Sequence, residues 1–250
     1  MKIVTWNCNG ALRKKIAYVD KLGADILIIQ ECEDPNQSTK VYRQWAGDYL
    51  WTGKSKNKGI GIFARNGNRI RSLHWQGEYT LQAIKNQSAS ITWQSKELQS
   101  FLPCRVNDIF TIVGIWTKKA NSPNFGYVGQ LWKYLQVHKS KLSGNNMILC
   151  GDLNSNSIWD QWDRWWNHSD VVRELKEIAI HSLYHNIENE DPGKETKNTF
   201  YLYRNQDKPY HIDYVFLSKN LLDSSSLEIC KPEPWLEYSD HVPLVFTING

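Results

Sequence analysis

The sequence predicts an α/β fold of mixed β-sheets flanked by helices, and three observations carry that expectation. Short apolar segments recur along the whole chain, at Lys2–Trp6, Ile26–Gln30, Gly59–Ala64, Ser88–Thr92, Ile109–Ile115, Met147–Gly151, Ile212–Leu217 and Val242–Ile248. Between them lie stretches whose apolar residues recur at helical spacing. The two kinds of segment do not alternate strictly. From Gly59 to Ile115 the chain is mostly β, and helical patterning returns later, which favours mixed sheets over a simple parallel barrel.

Taken in order, the elements justify themselves by pattern. After the first strand, Leu12, Ile16, Val19 and Leu22 keep close to a helical period, predicting a helix over Leu12–Leu22. GKSKNKG (Gly53–Gly59) reads as a lysine-rich loop. Val128, Leu131, Leu135 and Leu142 predict a helix over Tyr127–Leu142. Met147 to Cys150 form a short apolar run suited to a buried strand, and the chain then turns polar at Asp152-Leu153-Asn154. Trp159, Trp162 and Trp166 fall at i, i+3 and i+7, the spacing of one packed helix face, with Trp165 the best candidate for exposure. Val172, Leu175 and Ile178–Ala179 predict a further helix over Val171–Ile180, and ENEDPGKETKN (Glu188–Asn198) reads as a loop. No repeat or low-complexity linker interrupts residues 1–250, which are expected to form one domain.

Composition excludes several classes. Hydrophobic residues make up 41% and charged residues 22%, ordinary values for a protein with a packed core. No run approaches the roughly 20 apolar residues of a membrane helix, and MKIVTWNCNG does not resemble a secretory leader, so a cytoplasmic protein is expected. Five scattered cysteines without a CxxC pair argue against a zinc site or a disulfide framework. A formal charge of +4 permits a polyanionic partner without requiring one.

The informative residues stand at the ends of the apolar runs. Asn7 and Asn9 follow the first, Glu31 the second, and Asp152 and Asn154 follow MILCG; Asp213 enters another strand, and Asp240-His241 precedes the last. Any one of these is a common turn residue. Strand ends converge at the edge of a sheet, however, and gathered carboxylates repel unless a cation is present; an oxygen-rich set suits Mg²⁺ or Mn²⁺. With a histidine, the set suits phosphoryl chemistry.

The ordered series TWNCNG, Gln30-Glu31, GDLN (Gly151–Asn154), Thr199-Phe200, IDYVFLS and Ser239-Asp240-His241 resembles the endonuclease/exonuclease/phosphatase superfamily, which includes exonuclease III, abasic-site endonucleases, deoxyribonuclease I and inositol-phosphate 5-phosphatases. The resemblance implies a deoxyribonuclease I-like four-layer sandwich of two packed mixed sheets with flanking helices. It also implies a Mg²⁺- or Mn²⁺-dependent phosphodiesterase, with DNA the first expected substrate. A phosphatase or phosphodiesterase of a small molecule or lipid headgroup is the alternative, and a silent binding module a third reading. In the implied roles, Glu31 is the principal metal ligand, with Asn9 and Asp240 nearby. Asn7 binds phosphate or supports the metal. Asp152 activates water, Asn154 places it, and His241, oriented by Asp213, contacts the non-bridging oxygens. Trp116 stands where nucleases of the family often offer Tyr or His; its indole can donate a hydrogen bond but cannot titrate. Arg13, Lys14, Lys15, Lys54, Lys56, Lys58, Lys118 and Lys119 are candidates for phosphate contact or for a solvated face. The expected partner is nucleic acid, with no membrane, and the expected state a monomer.

Overall fold

A computed structural model describes residues 1–82, 90–120 and 125–249. Two six-stranded sheets form its centre. One is built from Lys2–Asn7 (β1), Ile26–Cys32 (β2), Tyr49–Ser55 (β3), Lys58–Ala64 (β4), Ser225–Ile229 (β15) and Leu244–Ile248 (β16), in the order β15-β16-β1-β2-β4-β3. The other contains Ile70–Ser72 (β5), Phe101–Val106 (β8), Phe110–Trp116 (β9), Met147–Asp152 (β10), Ile180–Ser182 (β11) and Asp213–Ser218 (β14), in the order β11-β14-β10-β9-β8-β5. Each is mixed: β1 runs parallel to β2 but antiparallel to β16, and β10 runs parallel to β9 but antiparallel to β14. Two ribbons complete the β structure among the described residues, Glu78–Leu81 (β6) with Ile91–Gln94 (β7), and Phe200–Tyr201 (β12) with Pro209–Tyr210 (β13). The strand expected at Ser88–Thr92 thus appears slightly later, its first two residues lying outside the described residues.

Successive side chains of a strand point to opposite faces, and both faces of each sheet are buried. Ile3 of β1 and Ile148 and Cys150 of β10 meet between the sheets. Val4 and Trp6 face outward to Ile16–Asp20 (α1) and Lys40–Ala46 (α2), with Val19, Tyr42 and Ala46 in the same cluster. Met147 and Leu149 face the other way, to Val128–Leu142 (α3) and His168–Glu177 (α4), through Leu131, Leu135, Val171 and Leu175. The result is the four-layer helix–sheet–sheet–helix sandwich. It explains why the central strands read as continuous apolar runs rather than alternating ones.

Two helical expectations need correction. The Leu12–Leu22 stretch is broken into a 3₁₀ turn, Leu12–Lys14, and α1. The break falls at Lys15, whose ammonium turns inward to the carbonyls of Cys8, Gly10 and Tyr238. No helix carries Trp159, Trp162 and Trp166: the segment is a 3₁₀ turn, Ser157–Trp159, followed by turns up to α4. Trp162 is 97% exposed, and Trp159 and Trp165 are partly so. The helical spacing was a coincidence of three residues, since packing rather than periodicity decides where indoles settle.

Candidate active site

The strand ends do converge. Asp152 closes β10 and pairs in register with Asp213 at the start of β14 and with Trp116 at the end of β9. Gly151 makes this close approach possible. Its φ is 140°, and a Cβ there would lie 1.9 Å from the carbonyl oxygen of Ile115, so no other residue fits. Asn154 follows in the left-handed region (φ 46°), a conformation Asn tolerates, which folds its amide back over Asp152.

Asp152 is 1% exposed and carries three donors. Asn7 Nδ2 and Asn154 Nδ2 each donate to Oδ2 at 2.8 Å, and the Asn154 backbone N–H donates to Oδ1 at 2.7 Å. Across from it, His241 Nδ1 donates to Asp213 Oδ2 at 2.8 Å, while Nε2 stands 3.9 Å from Asp152 Oδ2. Thr199 fixes the start of β14 by accepting from the backbone N–H groups of Ile212 and Asp213, both at 3.0 Å. Ser239 ties the last motif to the first: its Oγ donates to Asn7 O at 2.7 Å and accepts from His241 N–H at 3.1 Å. Phe200 lays its ring 4.7 Å from the His241 imidazole. The sequence marked the Thr199-Phe200 pair and Ser239 as parts of motifs without roles; here they hold Asp213 and His241 in place.

The electrostatics separate the two principal groups. Burial pushes the Asp152 carboxyl up to about 7, with His241 opposing the rise and Asp213 adding to it. Burial also opposes charge on His241, but Asp213 and Asp152 together overcome it and raise the imidazole to about 9. The result is a carboxylate poised near neutrality facing a histidine that stays cationic.

The expected metal ligands lie to one side. Glu31 sits at a β-bulge between Gln30 and Cys32, with φ 63°, so its side chain leaves the pleat of β2. Lys58, from the start of β4, places its ammonium 2.6 Å from Glu31 Oε2. Asn9 is exposed, also in the left-handed region, and its N–H donates to Asn7 Oδ1 at 3.0 Å. Asp240 is half-buried beside Ser239. Among the described residues, Asp152, Asp213 and His241 are the acidic or histidine groups gathered within 4.8 Å; Glu31 and Asp240 stand outside that trio. Asn7, expected to meet phosphate, spends its amide on Asp152 and Asn9. Trp116 is buried in the core between the sheets, its ring covered by Lys118 at 4.3 Å and Lys58 at 5.9 Å. Lys118 therefore belongs to this rim, its pKa lowered by burial and by neighbouring Lys54. Arg13 instead pairs with Glu33, and Lys15 is structural.

Residues 4–241 match the sequence model of the Endonuclease/Exonuclease/phosphatase family. The chain belongs to this family. It is a phosphoric ester hydrolase. In fold, this family member is similar to the 3'-5' exonuclease NExo from Neisseria meningitidis (TM-score 0.67, 17% identity, all of both chains covered). It is equally similar to an AP endonuclease from Archaeoglobus fulgidus (TM-score 0.67, 19% identity, all of both chains covered). It also matches the 3' phosphatase NExo (D146N) from Neisseria bound to a product DNA hairpin (TM-score 0.67, 17% identity, all of both chains covered). None of the curated proteins matches the sequence.

Proposed function

We propose that the protein is a divalent-metal-dependent phosphodiesterase that hydrolyses DNA. The observation that carries this reading is the meeting of Asp152, Asn154, Asp213 and His241 at the strand ends, with His241 bonded to Asp213 at 2.8 Å and standing 3.9 Å from Asp152. Asp152 takes a proton from water as the water oxygen bonds to phosphorus, and the ester bond on the far side breaks, its electron pair leaving with the ester oxygen, which takes a proton from solvent. Asn154 orients the water against Asp152, and the His241 imidazolium, fixed by Asp213, meets the negative charge that grows on the non-bridging oxygens.

The donor chemistry fits a hard cation better at Glu31 than at the Asp152 trio. Asp152 already accepts three hydrogen bonds and Asp213 holds His241, whereas Glu31 is held by one lysine ammonium, itself a cation. Glu31, with Asp240 and Asn9, would hold Mg²⁺ or Mn²⁺, which polarises phosphoryl oxygens and offsets their charge. Lys54, Lys58 and Lys118 line the same rim and suit a polyanionic strand over an isolated small ester. DNA as the substrate is further supported by the Neisseria 3' phosphatase bound to product DNA, whose fold this chain shares.

The test is purified protein with Mg²⁺ or Mn²⁺ offered single- and double-stranded DNA, an abasic duplex, RNA and inositol phosphates. DNA cleavage that stops in excess chelator is expected. Turnover of inositol phosphates alone overturns the nucleic-acid reading, and full activity in chelator overturns the metal.

A further inference from the structure

Two carboxylates stand at the end of β2, each met by a cation, and the two pairs differ. Glu33 is buried, and Arg13 holds it. Glu31 is partly open, and the cation on it is the Lys58 ammonium, 2.6 Å from Oε2 on a side chain that is itself half-exposed. Register makes this meeting. The bulge turns the Glu31 carboxylate out of the pleat of β2, and Lys58 starts the antiparallel neighbour β4, whose next residue, Gly59, pairs with Cys32.

The surroundings of Glu31 are rich in positive charge. Lys58 Nζ also lies 5.9 Å from the Trp116 ring, which Lys118 covers at 4.3 Å. Lys118 in turn has Lys54, Glu31 and Lys58 as charged neighbours. Asp240, the second carboxylate offered to a metal, has His241 and Lys15 among its own neighbours. Asn9 offers only a neutral amide. A divalent ion arriving at Glu31 therefore meets carboxylates whose charge is already matched by cations, and the nearest of these cations sits on the ligand atom itself.

An ion pair half in water is worth little, and a lysine ammonium is a compact charge on a flexible four-carbon stem. Lys58 can thus give way to a divalent ion, at the expense of that ion's affinity, without sealing the site. Its Cα is fixed at the strand start, so a displaced ammonium stays within a side chain's length and still repels the metal.

We propose that Lys58 is a tethered cation that competes with the divalent metal for Glu31 and sets the metal concentration at which the site fills. The inference rests on the reading of Glu31 as a metal ligand given above. Lys58 acts through Glu31, so its effect falls on metal loading before any ester is bound.

Direct binding of Mn²⁺ to the full chain, read as loss of the free ion's electron paramagnetic resonance signal without substrate, tests it. Lys58→Met keeps the stem and removes the charge. Its Mn²⁺ Kd is expected to fall about tenfold, the order set by one unit charge a few ångströms from a divalent ion. Lys58→Arg keeps the charge and is expected to bind as the parent does. Lys118→Met removes a charge that makes no ion pair with Glu31 among the described residues, and is expected to shift the Kd less. Unchanged binding in Lys58→Met, with Glu31→Gln weakening it, overturns the competition and leaves the metal site standing. Equal binding by the parent and Glu31→Gln removes Glu31 from the metal and overturns both. Equal gains from Lys58→Met and Lys118→Met would show a field spread over the rim and overturn the assignment to Lys58.

Discussion

Two buried polar clusters flank Asp213, built from the same residue types but pushing their imidazoles in opposite directions. On one side, His241 faces two carboxylates, Asp213 and Asp152. On the other, His168, His185 and His211 share one carboxylate, Glu195, with Tyr214 and Asn156 between them. Burial acts against a charged imidazole in both. Against two carboxylates it loses, and His241 rises to about 9. In the other cluster neither His168 nor His211 hydrogen-bonds a carboxylate and burial wins: His168 falls to about 3 and His211 is lowered too. Glu195, opposed by burial but held by His185, Asn156 and Gly193, drops to about 2. A carboxylate bonded directly to the imidazole, rather than depth, sets His241 apart from His168 and His211.

The most severe way to break this contrast is Asp152→Asn. The amide keeps the shape but cannot take a proton, and it leaves His241 facing one carboxylate. We expect kcat to fall by about 10³-fold, within the roughly 10²–10⁴-fold range for a lost general base. A thermal melt close to that of the parent would assign the loss to chemistry; a fall of less than tenfold would remove Asp152 from the role.

A smaller effect sharpens the contrast through pH. Asp152 acts when deprotonated, so activity rises as pH passes about 7; His241 acts when protonated, so activity falls as pH passes about 9. In Asp213→Asn the imidazole loses the first of its two carboxylates. Its pKa moves down, and the alkaline limb of the profile moves with it. At pH 8 a loss of about 10²-fold is expected, of the order seen when a transition-state donor is removed. An alkaline limb that stays in place would show that another group sets it.

The sequence made some of this legible and left the rest hidden. Asp152, Asn154, Asp213 and His241 were readable because each follows or enters an apolar run, and strand ends at one sheet edge must meet. Glu31 was readable as a residue but not as a geometry: the bulge that turns it out of the pleat is a matter of register with β4, which no local pattern encodes. The tryptophans after Asn154 looked helical by spacing alone, but α4 starts only at His168, where Asn167 and Asp170 form a capping box. The cluster around Glu195 had no signal at all. Asn156, His185, Glu195 and Tyr214 belong to four different segments, and a loop of polar residues gave no reason to expect a buried carboxylate at its centre.

That second cluster supplies the mildest test, Asn156→Ala. Asn156 Nδ2 donates to Glu195 Oε2 at 3.0 Å and to His211 O at 2.9 Å, and meets Tyr214 OH at 3.0 Å. Its Oδ1 accepts from Ile158 N–H at 3.1 Å, starting the 3₁₀ turn that carries Trp159. Alanine leaves buried acceptors without their donor, at a cost of about 2 kcal/mol, which for a chain of this size lowers Tm by about 4–8 °C. If the cluster is a structural brace, the two midpoints of the activity profile remain near 7 and 9 in this variant, because neither Asp152 nor His241 has lost a charged neighbour. A midpoint that moved with Asn156→Ala would mean that the clusters are electrically joined across β14, and that the carboxylates facing His241 do not alone set its charge.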